Sequence, residues 1–335
     1  MDLKALSLAL GLSPTTVSRA LNGYPDVSEL TRARVIEAAA RCGYRPNPCA
    51  RRLALGRADA IGMVCPPGTA DLADPRFAPV VDGLAQGLHE AGIDLLIATS
   101  PGAEEIATYE RLVRSRRFDA LVVGRTRRAD PRLDFLLAQG FPFLAYGRSA
   151  NPIGYSWLDF DHAAGSLLAL RRLHAFGHRR IAHLHAALER NDAHERRGGF
   201  VRGLAELGLE GNPAWSVPAE GRRDGHAAAA ALLAQPHGPT ALLVDHPAAG
   251  AGVAQALAER GLAHGRDVSV IVFDGAPAEP LLPGQAMTSV EHPAGAEAGR
   301  AMAAMLLELL AGKPPSDLQQ LWAPALIPGD SDGPA

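Results

Sequence analysis

The sequence predicts a small all-α domain at the N-terminus and a larger α/β domain with two similar parallel-sheet halves. Residues 1–57 contain short helical patterns separated by glycine turns, whereas the rest of the chain alternates short apolar runs with helical stretches. With 335 residues, of which 47 % are hydrophobic, the chain is long enough for two or three domains with buried cores.

The charge distribution divides the chain at the same place. Residues 1–57 carry nine Lys/Arg and four Asp/Glu, a net charge of +5. The remaining residues carry 24 Lys/Arg and 32 Asp/Glu, a net charge of −8. This asymmetry predicts a polyanionic partner for the N-terminal domain.

Composition and motifs also argue against several classes of protein. Three cysteines with no CxxC or Cys/His spacing predict neither a disulfide framework nor a zinc site, and we expect no cofactor. The sequence has no signal-peptide pattern and no apolar run of 18 residues, so we expect a cytoplasmic protein without membrane contact. It also has no G-x-S-x-G, Walker or His-Glu-x-x-His motif, which argues against an enzyme.

The N-terminal domain has the pattern of a helix-turn-helix. Leu3, Leu6 and Leu10 share one helical face, and Ser13 followed by Pro14 is typical of the start of a second helix. The outer face of that helix consists of hydrogen-bonding side chains: Thr15, Ser18, Arg19 and Asn22. A short second helix with a polar, arginine-bearing face predicts DNA binding.

Two more helices are predicted before the large domain. The third helix begins after Ser28 and runs to Cys42, which we expect inside the three-helix core. Its outward arginines are expected to face phosphates: Arg32, Arg34 and Arg41. A short helix follows within residues 47–56, and it is stable only against a partner copy and DNA. Its Leu53 is a candidate minor-groove wedge, with packing against the next domain as the alternative.

The large domain is predicted from apolar runs typical of buried strands. These runs are 60–64, 94–98, 120–123, 143–145, 180–185, 241–244 and 268–273. Helical stretches lie around 198–208, 225–235 and 248–261. Two parallel-sheet halves predict two lobes with a ligand in the cleft at the C-terminal ends of the strands.

Three segments of the N-terminal region resemble the LacI family signature. They are Leu-Gly-Leu-Ser-Pro-Thr-Thr-Val-Ser-Arg-Ala-Leu-Asn-Gly (10–23), Val-Ser-Glu-Leu-Thr-Arg-Ala-Arg-Val (27–35) and Gly-Tyr-Arg-Pro-Asn (43–47). The resemblance implies an all-α helix-turn-helix headpiece and an α/β bilobed, periplasmic-binding-protein-like domain with two Rossmann-like lobes.

The resemblance also implies roles in DNA binding. Base edges would be read by Pro14, Thr15 and Arg19. The phosphate backbone would be contacted by Thr16, Ser18, Asn22, Ser28, Thr31, Arg32, Tyr44 and Asn47. The hinge would enter the minor groove at Ala50 and Leu53. Proline at position 14 departs from the pattern in chemistry, because it can touch a thymine methyl but has no side-chain hydrogen bond.

The implied domain boundaries are a headpiece at 1–46, a hinge at 47–57 and an effector-binding and dimerisation domain at 58–328. The N-lobe would comprise about 58–160 and 291–321, and the C-lobe about 161–290 and 322–328. The chain would therefore cross between the lobes three times, near 160, 291 and 322. Residues 329–335 are expected to form a disordered tail, because this end is rich in proline and glycine.

Two residues are the main effector-binding candidates. Arg196 stands in Arg-Arg-Gly-Gly-Phe, which resembles the family's Arg-x-x-Gly-aromatic motif, and Asp274 follows a strand where the family has its effector-binding aspartate. Such charged groups suit the hydroxyl pairs of a neutral polyol. The alternative for both is an ion pair between the lobes or on the surface.

Other effector candidates rest on weaker patterns. Trp157, Asp159 and Asp161 share one strand face, and a core tryptophan beside solvated carboxylates is the alternative. Three further candidates are positioned by the resemblance: Arg148, His226 and His246. Tyr146-Gly147-Arg148 replaces a frequent Asp-Arg, His226 stands where relatives have an aromatic lid, and Asp245-His246-Pro247 replaces Ala-Asn-Asp.

These features together predict a homodimeric, or tetrameric, repressor that binds a pseudo-palindromic operator and responds to a small molecule. A sugar is the expected effector, and several motifs look similar to the family branch that controls α-glucoside use. A purine or nucleoside effector, activation instead of repression, and a solute-binding protein without a DNA role stay open as alternatives.

Overall fold

The computed structural model describes residues 2–44, 56–65, 77–100, 104–151, 154–275, 286–293 and 295–335. The chain forms two compact units, one of Met1–Asp59 with Arg116–Asp119 and one of Ala60–Ser115 with Ala120–Ala335. The predicted hinge residues Asn47, Ala50 and Leu53 lie outside the described residues. Within those residues, no helix combines the length and apolar character that crossing a bilayer requires.

The described residues of the N-terminal unit form three helices, α1 (Leu3–Leu10), α2 (Pro14–Leu21) and α3 (Glu29–Arg41). Each begins after a residue whose side-chain oxygen accepts a hydrogen bond from the backbone N–H three positions later: Asp2, Ser13 and Ser28. These caps satisfy donors that a helix start leaves unpaired. The apolar faces of the three helices form one small core around Leu6, Val17 and Val35.

The prediction for Cys42 is wrong. The third helix ends at Arg41, and Cys42 is its exposed C-cap instead of a core residue. Gly43 then adopts a φ of 63°, which reverses the chain and returns Tyr44 to the core. The helix therefore stops before the turn on which Cys42 would face inward.

The N-lobe of the second unit contains a six-stranded parallel sheet in the order β11-β5-β4-β3-β1-β2. Its strands are β1 (Ala60–Cys65), β2 (Asp94–Thr99), β3 (Ala120–Gly124), β4 (Phe143–Tyr146), β5 (Ser156–Phe160) and β11 (Gln319–Trp322). Its helices are α4 (Phe77–Glu90), α5 (Glu105–Ser115), α6 (Pro131–Ala138) and α11 (Gly295–Leu310). The predicted first four strands are present, while β11 has no strong apolar run and was not predicted.

The C-lobe contains the second sheet, in the order β12-β10-β9-β8-β6-β7. Its strands are β6 (Ile181–His185), β7 (Ser216–Pro218), β8 (Ala241–Val244), β9 (Ser269–Phe273), β10 (Thr288–Glu291) and β12 (Ala325–Ile327). Its helices are α7 (His162–Ala175), α8 (Asn191–Glu206), α9 (Arg222–Leu233) and α10 (Pro247–Glu259). All pairs are parallel except β10 with β12, which are antiparallel.

The chain passes between the two sheets at three places. It leaves the N-lobe sheet after β5, returns from β10 into α11, and crosses again between β11 and β12. Parallel strands in each sheet direct their C-terminal ends towards the loops that meet between the lobes. The predicted class, a helix-turn-helix domain followed by two α/β lobes, is confirmed.

The expected disordered tail is wrong, because residues 329–335 pack against the C-lobe. Ser331 is fully buried and its hydroxyl donates to the carbonyl of Val270 at 2.6 Å. The carboxylate of Asp332 pairs with Arg172 and also accepts from the hydroxyl of Thr288. Proline and glycine therefore mark an irregular but packed segment, whose polar groups find partners on helix α7 and the sheet.

Asp332→Ala is expected to lower the free energy of unfolding by about 2 kcal/mol, because it leaves the partly buried Arg172 and the buried Thr288 hydroxyl without an acceptor. Chemical denaturation at neutral pH measures the change. Glu206→Ala removes an exposed pair with Arg171 and should cost far less. Equal stability of Asp332→Ala and the wild type would contradict the packed tail.

Stability is also expected to depend on the protonation of His178. This buried ring contacts the hydroxyls of Thr240 and Ser269 and the carbonyl of Gly333, and burial lowers its pKa below the ordinary 6.5. The native state then binds fewer protons than the unfolded state, so stability is complete above pH 6.5 and falls as the pH drops below it.

Urea unfolding at pH 8 and pH 5.5 measures this dependence. His178→Gln should show a smaller loss of unfolding free energy between the two pH values than the wild type, whatever its stability at pH 8. His89→Gln, at an exposed position on α4, should keep the wild-type difference. An unchanged difference in His178→Gln would show that His178 does not carry the effect.

Candidate functional sites

The exposed face of α2 is the candidate DNA-binding surface. Pro14, Thr15 and Arg19 are exposed on this helix. The Arg19 guanidinium pairs with Asp26, with 2.8 Å between Nη2 and Oδ2, and lies 4.9 Å from the centre of the Tyr24 ring. This pair is solvent-exposed and weak, so a phosphate or base edge can replace the Asp26 carboxylate.

Some of the predicted phosphate contacts lie at the starts of α2 and α3, and two lie further along α2. The hydroxyls of Thr16 and Ser13 lie 2.8 Å apart, as do those of Thr31 and Ser28. The amide of Asn22 donates to the Ser18 hydroxyl at 3.4 Å. Hydroxyls and N–H groups at two helix N-termini are suited to phosphate oxygens.

Three residues of this domain have structural contacts that their predicted role did not include. Arg32 is half-buried and donates through Nη2 to the Tyr24 carbonyl at 2.7 Å. Arg34 donates to the Leu10 carbonyl at 2.8 Å, at the end of α1 where helix carbonyls lack partners. Tyr44 packs against the three-helix core. Their replacement is therefore expected to affect the folding of this domain.

The second candidate site lies where the strands of the two lobes end, and Arg196 of α8 is its centre. Its guanidinium is buried and donates to the Asp274 carboxylate at 2.8 Å and to the backbone carbonyl of Asp245 at 2.7 Å. Its Nε donates to Nδ1 of His162 at 3.3 Å. The Arg196 guanidinium also lies over the Phe273 ring, with 4.2 Å between Cζ and the ring centre.

Carboxylates determine the protonation of this centre. Burial by itself would lower the pKa of Arg196, but the negative charges of Asp274, Asp245 and Asp192 outweigh it and raise the pKa. Burial would likewise raise the pKa of Asp192, but Arg190 and Arg196 hold it well below its usual range. Arg196 and Asp192 are therefore both charged at neutral pH.

The network continues from Arg196 into the N-lobe. His162, at the start of α7, faces Asp159 of β5, with 3.4 Å between Nε2 and Oδ1. The other carboxylate oxygen of Asp159 accepts from Nε of Arg148 at 2.7 Å. Burial would raise the pKa of Asp159, but its bonds with His162 and Arg148 lower it. The two lobes thus share one chain of charged hydrogen bonds.

Backbone hydrogen bonds also join the lobes. The loop after β3 pairs with the loop after β6, with Arg128 N–H donating to the Glu189 carbonyl at 2.9 Å and Asn191 N–H to the Thr126 carbonyl at 3.0 Å. A groove of about 870 Å³ borders this contact and includes Arg128 and Glu189 in its lining. It contains no predicted effector residue, so size alone does not make it the ligand site.

The structure brings together some of the predicted effector residues and separates others. Arg196 contacts Asp274 directly, and Arg148 contacts Asp159 and lies 5.5 Å from the Trp157 ring centre. Asp161 and His246 accept hydrogen bonds from the backbone at the starts of α7 and α10. They therefore have capping contacts at the edge of the site.

His226 has no place in this cluster. It lies on α9 and its Nε2 is 2.7 Å from the Glu259 carboxylate on α10. The helix continues through position 226, so this residue is part of a packed helix pair and not of a loop that covers a ligand.

Sequence patterns missed His162, His292 and Asp245. His162 and His292 stand beside the segments that cross between the lobes, and their contacts with Arg196 and Asp274 join residues more than 15 positions apart. Asp245 is buried and its carboxylate pairs with His183, 2.8 Å away. In the sequence, the one signal for Asp245 was that Asp245-His246-Pro247 stands in place of the expected Ala-Asn-Asp.

Comparisons with known proteins identify the families that both parts of the chain resemble. Residues 7–47 match the model of bacterial regulatory proteins of the lacI family, and residues 170–331 match a periplasmic binding protein-like domain. The regulator RafR of Escherichia coli is 38 % identical over 332 residues, which cover 99 % of this chain and 98 % of RafR.

Solved structures resemble this chain over its full length. The transcriptional regulator CelR in complex with cellobiose is 26 % identical, with a TM-score of 0.75 and 99 % of both chains covered. The lac repressor dimer bound to operator and the anti-inducer ONPF is 23 % identical, with a TM-score of 0.79 and the same coverage, and shows a shared fold. From these matches, the chain belongs to the lacI family of bacterial regulatory proteins and is a DNA-binding helix-turn-helix transcription regulator, not an enzyme.

Proposed function

We propose that this protein is a cytoplasmic, homodimeric repressor whose affinity for a pseudo-palindromic operator is controlled by a neutral polyol, a sugar, bound between the lobes. The single observation that carries the effector half is the pairing of the buried Arg196 with the partly exposed Asp274 where the strands of the two lobes end. The exposed polar face of α2 supports the DNA half.

The DNA-binding role follows from charge and exposure. The net charge of +5 over residues 1–57 favours a polyanion, and α2 exposes Pro14, Thr15 and Arg19. A helix of eight residues fits the major groove, and two copies would read two half-sites. The operator-bound dimer of the lac repressor, which has the same fold, supports this arrangement. The hinge at 47–57 would position the two headpieces.

The chemistry of the cleft favours a polyol. A guanidinium beside a carboxylate offers donors and acceptors to adjacent hydroxyl groups, and both are held in a mostly buried site where such bonds are strong. The Phe160 and Phe273 rings provide apolar surface near Arg196 and His292. The cellobiose complex of CelR supports a sugar as the ligand class.

Effector control requires a conformational difference. A sugar alters operator affinity only if it binds the DNA-free conformation more tightly than the DNA-bound one. The charged chain Arg196–His162–Asp159 and the backbone bonds of Thr126 and Arg128 join the lobes, so a change in lobe angle must break or rearrange them. A coupling free energy of about 1–3 kcal/mol is typical of such systems.

Arg19→Ala is expected to weaken specific operator binding by about 1–3 kcal/mol and to relax base preference, because a base-reading guanidinium is lost. Gel-shift titration on the region upstream of the gene, and on randomised sites, measures both effects. Arg171→Ala, an exposed arginine of α7, is the matched control. Unchanged affinity and base preference in Arg19→Ala would refute the recognition helix.

Titration of the wild-type protein–operator complex with cellobiose, maltose, lactose, melibiose and sucrose tests the effector class. We expect at least one disaccharide to lower the affinity for the operator at least fivefold. In Arg196→Ala the same disaccharide should leave the operator affinity unchanged. Adenine, guanine, hypoxanthine and their nucleosides are the contrast set. Release by one of them and by no sugar would overturn the polyol proposal.

A further inference from the structure

His292 stands at the second place where the chain crosses between the lobes, directly after β10. Its Nδ1 lies 2.7 Å from Oδ1 of Asp274, the carboxylate that also pairs with Arg196. Its ring stacks on Phe160 at the end of β5, with 4.0 Å between ring centres and 26° between planes. One side chain therefore contacts both the centre of the candidate effector site and the N-lobe sheet.

The contact with Asp274 determines which nitrogen of His292 carries the proton. A carboxylate oxygen only accepts hydrogen bonds, so Nδ1 must donate. In the neutral ring Nε2 is then unprotonated and presents a lone pair as an acceptor. Nε2 is buried and has no hydrogen-bond partner among the residues that the structure describes. A buried acceptor without a partner costs about 1–3 kcal/mol.

A comparison with His183 separates two kinds of unpaired histidine nitrogen. His183 also has an unpaired Nδ1, but its side chain is 0 % exposed and is enclosed in the C-lobe between Asp245 and Phe200. The His292 side chain is 15 % exposed and that of its partner Asp274 20 % exposed. A ligand held by Asp274 and Arg196 would therefore lie beside His292, whereas it has no access to His183.

We propose that Nε2 of His292 accepts a hydrogen bond from a hydroxyl group of the effector, which makes His292 a specificity-determining residue. This inference rests on the proposed function. The chemistry selects a polyol with a free hydroxyl next to the group that binds Asp274, and it discriminates against the corresponding deoxy or O-methyl compound. A site built to pair a hydroxyl rejects an analogue without one, because the buried acceptor is left unpaired.

The same geometry makes effector binding sensitive to acid. A protonated imidazole donates through both nitrogens, so protonation removes the acceptor. Burial lowers the pKa of His292, Asp274 opposes this effect, and His162 and Arg196 add to it. The other charged groups nearby are directed elsewhere: Glu291 accepts from the Ser289 hydroxyl, and Asp159 faces His162. Because the net pKa is below 6.5, the acceptor is present at neutral pH and is lost in acid.

Two substitutions separate the acceptor from the ring. In His292→Gln the amide N–H₂ can donate to Asp274 while the carbonyl oxygen accepts, and the side chain does not titrate. In His292→Phe the stack on Phe160 is kept and the acceptor is lost. With the tightest-binding disaccharide of the panel, we expect wild-type affinity within a few-fold for His292→Gln and at least a tenfold loss for His292→Phe.

Tryptophan fluorescence titration from pH 8 to pH 5.5 measures both variants, with circular dichroism at each pH to verify folding. The wild-type affinity should fall in acid, whereas that of His292→Gln should fall less. His89→Gln, at an exposed position, should follow the wild type. If His292→Phe binds as tightly as the wild type, or if His292→Gln has the wild-type pH profile, the assignment of His292 is overturned.

Monodeoxy analogues of that disaccharide give an independent measurement. One analogue should bind the wild type at least tenfold more weakly than the parent sugar, and the same analogue and the parent should bind His292→Phe equally. If every analogue loses the same factor of affinity in the wild type and in His292→Phe, the assignment is also overturned. If no disaccharide of the panel binds the wild type at all, the proposed function itself fails, which is a different result.

Discussion

The buried guanidinium of Arg196 is the constraint on which the candidate effector site depends. A cation removed from water is stable only when acceptors surround it, and the loss of one acceptor is costly. The acceptors here come from three separate segments: Asp274 after β9, the Asp245 carbonyl after β8, and His162 at the start of α7. Satisfying one charge therefore aligns the ends of two strands and the start of a helix.

The same requirement couples the lobes. His162 accepts from Arg196 through Nδ1, so its other nitrogen carries the proton and faces Asp159 of the N-lobe. Asp159 in turn holds Arg148. A ligand that competes for Arg196 or Asp274 changes partners along this chain and alters the energy of the contact between lobes. The network thus gives a physical route from a bound sugar to lobe geometry.

The headpiece depends on a different kind of interaction. Its helices are short, and each begins with a local hydrogen bond from a side chain three residues away: Asp2, Ser13 and Ser28. Its core contains few residues, so contacts such as that of Arg32 with the Tyr24 carbonyl stabilise the loop between α2 and α3. The side chains that stay exposed on α2, those of Pro14, Thr15 and Arg19, do not pack into this core.

The sequence by itself determined whatever depends on neighbours within a few positions. Caps at Ser13 and Ser28, the glycine stops, the buried strands and the Arg-x-x-Gly-aromatic motif around Arg196 all carry local signals. Family resemblance made Arg196 and Asp274 effector candidates, and the structure showed that they pair with each other. Tertiary structure alone decided the partners that lie far apart in the chain. His292 meets Phe160 across 132 positions, and Asp332 meets Arg172 across 160. Periodicity cannot report such distances, so a proline- and glycine-rich end was interpreted as disordered and two histidines at the lobe crossings were overlooked.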